Sequence, residues 1–153
     1  MRKVSFLLLL LFMSLFTEAQ LVYPYADIKL QKPSDYKETE KLALSAATFL
    51  ITTPFAEKDA NREAAFKFLN DWMAGTKDYQ FYLRGKVPEM MEERDLVWLY
   101  VAAMAKYTFE NKVAAANPLT VEQNASKMVL SYCDDPKNNF KLKKKYRKIL
   151  EKN

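Results

Sequence analysis

The chain has 153 residues, 24 of them Lys or Arg and 19 Asp or Glu, for a formal net charge of +5; it has one cysteine, two glycines and no histidine. Without histidine there is no Ser-His-Asp or Cys-His catalysis, no histidine metal site and no histidine pH switch. The single thiol, Cys133, forms no intramolecular disulfide or thiolate zinc site, and Gly75 and Gly85 are too few for a phosphate-binding glycine loop.

Met1-Arg2-Lys3 is followed by an almost wholly apolar run from Val4 to Phe16, then Thr17-Glu18-Ala19. A charged start, an apolar stretch and a small-x-small end form the pattern of an export signal. Residues 1–19 are therefore expected to be a signal peptide cleaved before Gln20, leaving an exported protein, periplasmic or secreted. No cysteine follows the apolar run, so no anchor of the bacterial lipoprotein kind is expected. Residues 20–33 carry Pro24 and Pro33 and no helical period. They read as an extended N-terminal arm or short edge strand whose Tyr23 and Tyr25 pack onto the body, with a flexible N-terminus as the equal alternative.

A helical domain is expected over 34–153. Its first helix starts with Ser34 as N-cap and Asp35 in the first turn. Leu42, Ala46, Phe49, Leu50 and Thr53 form its buried face, and Pro54 stops it. A second helix runs from Asp59 to Ala74, with Ala65, Phe68, Leu69 and Trp72 inward and Gly75 as a left-handed C-terminal residue. Thr76 to Val87 is the longest non-helical stretch, with Tyr79-Gln80-Phe81 briefly extended.

The stretch Pro88 to Ala116 is expected to be the central helix. Leu96 to Ala105 holds ten apolar residues without a charge. Their large side chains fall on three helical stripes, so the helix is buried around most of its circumference, with Trp98 as a core anchor. Pro88 suits its first position, and Glu89, Glu92, Glu93 and Asp95 sit near the positive end of its dipole. An unbroken helix here is about 40 Å long. Ten apolar residues are too few to cross a bilayer, which takes ~20. Asn117-Pro118 ends this helix, and Thr120 with Gln123 offers a capping box for the next, whose stripe is Val121, Ala125, Met128, Val129 and Tyr132. Asp135 and Pro136 open a last helix with Leu142, Tyr146, Ile149 and Leu150 inward. The sum is an all-α, single-domain bundle of about five helices around a central apolar one.

Two stretches could carry function. Residues 137–153 hold eight basic side chains against Glu151, a net of +7. Lys141, Lys144, Lys145 and Lys148 are therefore candidates for contact with an anionic surface: lipid headgroups, lipopolysaccharide or an acidic partner. Nucleic acid is a poor partner for an exported protein. The plainer alternative is a solvated outer face. The second stretch is Asp71 to Phe81, in which Trp72, Asp78, Tyr79 and Phe81 could meet a partner or ligand. Its alternative is a helix stop whose aromatics cap the core. Together with the export signal, the Trp-x-x-Gly-Thr-x-Asp-Tyr-x-Phe run at 72–81 resembles small uncharacterised exported helical proteins of Bacteroidetes-type bacteria. The resemblance implies an extracytoplasmic bacterial protein and lends no activity.

Glu89, Glu92, Glu93 and Asp95 are dense, but helix-dipole reasons explain carboxylates there, and spacing on one helix does not make a catalytic dyad. A Ser-Lys pair through Ser45 or Ser126 is compatible with the sequence, though both serines lie on helices. Cys133 reads as a small buried hydrophobe. No catalytic residue, metal ligand or cofactor site is assigned. The leading function is a non-enzymatic binding protein of the bacterial envelope with an unknown macromolecular partner. The alternative is a small-molecule or lipid carrier whose core is lined by Trp72, Trp98, Tyr100 and Phe109.

Overall fold

The computed structural model describes residues 25–152, with seven α-helices, two 3-10 turns and no strand among them. The expected signal peptide, 1–19, and residues 20–24 of the arm lie outside the described residues. The helices are α1 (Pro33–Glu38), α2 (Glu40–Thr52), α3 (Ala60–Gly75), α4 (Lys86–Met90), α5 (Arg94–Glu110), α6 (Pro118–Asp134) and α7 (Lys144–Glu151). The 3-10 turns are Ala114–Ala116 and Pro136–Asn138. The chain is an all-α bundle in one packed domain.

The central helix is α5, in which ten of 17 residues are buried. It lies between two cores. Leu96, Leu99, Tyr100, Ala103 and Met104 face α4, α6 and α7, and Val101, Ala102, Ala105 and Phe109 face α2 and α3. Burying both sides uses the wide apolar circumference seen in the sequence, because a helix with one apolar stripe needs only one neighbour.

Several boundaries differ from the sequence reading. The expected 88–116 helix is broken. Pro88 falls inside the one-turn helix α4, and α5 begins at Arg94 and is about 25 Å long. Packing explains the break. Val87 and Leu96 are both buried in the same core, yet on an unbroken helix they would point about 180° apart. The chain turns at Met91–Glu93, where the Glu93 amide donates to the Met90 carbonyl at 2.8 Å, and both side chains then reach the core.

The expected first helix is also divided. Thr39 leaves helical geometry (φ −100°, ψ 7°), and its hydroxyl donates to the Asp35 carbonyl while accepting from the Trp72 indole. Lys32, not Ser34, is the N-cap, and the Asp35 carboxylate accepts from the Gln31 and Lys32 amides. Gly75 ends α3 inside the helix, not in a left-handed conformation. A Cβ there would lie 2.0 Å from the Tyr36 hydroxyl, so close packing is what requires the glycine. Helix α6 starts earlier than Thr120. Asn117 is its N-cap, accepting from the Leu119 amide, and Pro118 takes the first position. Asp135 and Pro136 open only a 3-10 turn; Asn139 then adopts φ 52°, and α7 begins at Lys144.

Trp98 is half-buried. Its ring stacks on Phe66 at 4.3 Å and carries the Arg94 guanidinium 4.8 Å from its centroid. The fully buried tryptophan is Trp72, 1% exposed.

Candidate functional site

Helix α7 carries the basic face. Tyr146 and Leu150 are buried, while Leu142 and Ile149 pack half-buried against the same core. This inward stripe fixes which lysines turn outward. The cations beside it meet an acidic edge. Lys143 bridges to Glu93, Lys145 to Glu92 at 2.9 Å, and Lys152 to Glu89 at 3.3 Å; Arg147 bridges to Asp134 of α6. Hydrogen bonding from Lys145 lowers the Glu92 pKa, and Arg147 does the same for Asp134. Hydrogen bonds to Glu93 and Glu92 raise the pKa values of Lys143 and Lys145.

Of the four lysines singled out in the sequence, Lys145 is thus committed inside the molecule. Lys141, Lys144 and Lys148 are exposed and carry no ion pair among the described residues. Lys144 and Lys148 lie one turn apart and share a face.

Helix α7 is held at its end by a residue with no local signal in the sequence. The Lys86 ammonium, 8% exposed, donates to the Leu150 carbonyl at 3.0 Å, the Lys152 carbonyl at 2.6 Å and the Ser126 hydroxyl at 2.9 Å. It caps the carbonyl end of α7, where a cation is favoured. Burial lowers its pKa, and nearby Glu122 and Glu89 oppose that shift. Ser126 is one of the two serines, with Ser45, that the sequence offered for a Ser-Lys pair. Here all three ammonium hydrogens are engaged, so the nitrogen offers no lone pair, and Ser126 is only 3% exposed. Gly85, at φ 78°, precedes α4; a Cβ would fall 1.7 Å from a Glu122 carboxylate oxygen.

The 76–85 loop is anchored by aromatics. Trp72 donates its indole N–H to the Tyr36 carbonyl at 3.0 Å and to the Thr39 hydroxyl at 3.1 Å. Tyr79 sits 5.7 Å from Trp72, 5.1 Å from Phe109 and 6.1 Å from Phe81, ring centroid to centroid. Its hydroxyl donates to Glu40 at 2.6 Å, and Lys112 donates to the same carboxylate oxygen at 3.2 Å. The bond from Tyr79 lowers the Glu40 pKa, and burial raises that of Tyr79. Trp72, Tyr79 and Phe81 therefore fasten the loop to α2, α3 and α5. Asp78 is exposed on the rim of a cleft of about 460 Å³, lined also by Lys37, Glu40, Thr108 and Lys112.

Lys86, Glu40 and Lys112 were not legible as site residues, because their partners lie up to 72 positions away, and Thr108 was not, because packing alone places it on the cleft. Among the described residues no group of three or more His, Cys, Asp or Glu side chains is placed to hold a metal ion, and no helix is long and apolar enough to cross a membrane. The chain matches no family profile, no curated protein and no solved structure.

Proposed function

We propose that the protein is an exported, non-enzymatic binding protein of the bacterial envelope whose α7 face contacts an anionic surface. One observation carries this reading. The acidic edge at Glu89, Glu92 and Glu93 pairs with Lys143, Lys145 and Lys152 in and beside α7, yet Lys141, Lys144 and Lys148 remain exposed and unpaired among the described residues. The apolar stripe of α7 is spent on the core, so the contact is electrostatic and does not insert into a bilayer. Each lysine near an anionic surface contributes about 1 kcal/mol, so three support a weak, reversible contact. The carrier alternative is less favoured, because Trp72, Tyr100 and Phe109 are 1%, 0% and 7% exposed inside packed cores.

The test is the variant Lys141→Glu, Lys144→Glu, Lys148→Glu, which takes residues 137–153 from +7 to +1. The parent should sediment with phosphatidylglycerol vesicles at about 20 mM salt and release near physiological ionic strength, where the Debye length is ~8 Å. The variant should stay in solution with an unchanged thermal midpoint. A parent that ignores these vesicles at low salt, or a variant that binds equally well, overturns the reading. Export is checked separately: the mature protein should begin at Gln20.

A further inference from the structure

The cleft between the loop at 78–82, the C-terminal half of α5 and the 3-10 turn Ala114–Ala116 lies away from the α7 face and has its own chemistry. We infer that it binds a neutral polyhydroxylated ligand, one or two sugar rings in size. Its volume of about 460 Å³ is within the range of small-molecule sites.

Charge selects the class of ligand. Lys37 and Lys112 stand against Glu40 and Asp78, so the lining has no net charge and favours neither an anion nor a cation. Each sugar hydroxyl both donates and accepts, and so can satisfy ammonium and carboxylate groups together.

The second observation is Thr108. It lines the cleft, is 4% exposed, and its hydroxyl has no hydrogen-bond partner among the described residues. Thr39, Thr52 and Thr53 each donate to the carbonyl four residues earlier; Thr108 does not. Its Oγ1 stays open to solvent in the cleft, so water serves it in the free protein and a ligand hydroxyl can take that place.

Tyr82 adds an apolar surface. Its ring lines the same cleft, it is 38% exposed, and its hydroxyl donates to Gln80 at 2.7 Å. An aromatic ring with its polar tip already engaged suits the C–H face of a pyranose. The opposite requirement, a rigid wall, is met by Tyr79, Glu40 and Lys112, which are already bonded to one another and need no reordering on binding.

The experiment titrates the isotope-labelled mature chain with glucose, N-acetylglucosamine, cellobiose and chitobiose, with glucuronate and glucosamine as charged comparators. At least one neutral sugar should give saturable amide shifts at residues 78–82 and 108–116, with a Kd on the order of millimolar. Thr108→Val and Tyr82→Ala should each weaken that binding by about fivefold or more, with unchanged thermal midpoints. Any of these results overturns the inference: no saturable shift from any neutral sugar up to about 50 mM, a stronger response to a charged comparator, or parent-like binding by both variants. Shifts confined to residues 141–148 would likewise assign the sugar elsewhere and remove it from this cleft.

Discussion

The two sides of α5 are closed by different physics. Toward α2 and α3 the seal is aromatic: Trp72, Tyr79 and Phe109 interlock, Tyr25 stacks on Phe68 at 5.6 Å, and Phe66 stacks on Trp98. Toward α6 and α7 the interior mixes Leu96, Leu99, Met104, Val129 and Leu150 with the tyrosines Tyr100, Tyr132 and Tyr146, and its rim is a row of exposed ion pairs. Each side also contains one buried cation on a helix end. Arg62 donates to the Leu50 carbonyl at 2.8 Å and to Thr53, capping α2; Lys86 caps α7. The difference teaches where the molecule is sensitive. Aromatic burial depends little on salt or pH, whereas surface pairs are screened and titrate.

The largest effect should come from the aromatic side. Trp72→Ala removes a fully buried ring and leaves the Tyr36 carbonyl without its donor, at a cost of about 3–5 kcal/mol. Trp98→Ala removes a half-exposed ring whose contacts are Phe66 and Arg94, at a cost nearer 1–2 kcal/mol. Urea midpoints with matched m-values measure both. Equal losses would show that exposure does not separate the two tryptophans.

Next comes the cap on the other side. Lys86→Met keeps a similar stem and strips the donor from Ser126, Leu150 and Lys152, for a loss of about 1–3 kcal/mol. Hydrogen exchange should show α7 amides opening before those of α3. Protection of α7 unchanged in the variant would mean that the inward stripe of Tyr146 and Leu150 holds it unaided.

The smallest effect is on the rim. Hydrogen bonds from Lys145 and Arg147 hold the Glu92 and Asp134 carboxyls below their ordinary values of 4.5 and 3.8. A depressed carboxylate adds stability that is fully present above its unfolded pKa and is lost as pH falls through the folded one. Acidification below about pH 4.5 should therefore loosen α7, as should added salt at neutral pH, because exposed pairs are screened by solvent and ions. Amide protection in α7 followed against pH is the measurement; a flat response would leave the pairs without energetic weight. Cys133 should stay inert to thiol reagents in the same samples, since burial pushes its thiol up to about 12.

How much of this was legible can be read from particular residues. The inward stripe of α7, the face of α3 around Phe68, Leu69 and Trp72, and the apolar circumference of α5 follow from 3.6-residue periodicity, which is local. The break at Met91–Glu93 was not legible, because Pro88 and the acidic residues suit a helix start equally well. The two runs of opposite charge were both visible, but their meeting was not.

Composition and periodicity by themselves determined that the chain is helical, that α5 is central, and that it carries no histidine chemistry and no intramolecular disulfide. Those properties depend on residue types and short spacings. Only the tertiary structure decided that Lys145 is spent on Glu92 while Lys141, Lys144 and Lys148 remain outside, that Trp72 and not Trp98 is the buried ring, and that Thr108 lines a cleft with Tyr82. Each of these depends on which distant segments share a surface. Burial, pairing and the fate of a hydroxyl are set by neighbours that the linear order does not specify.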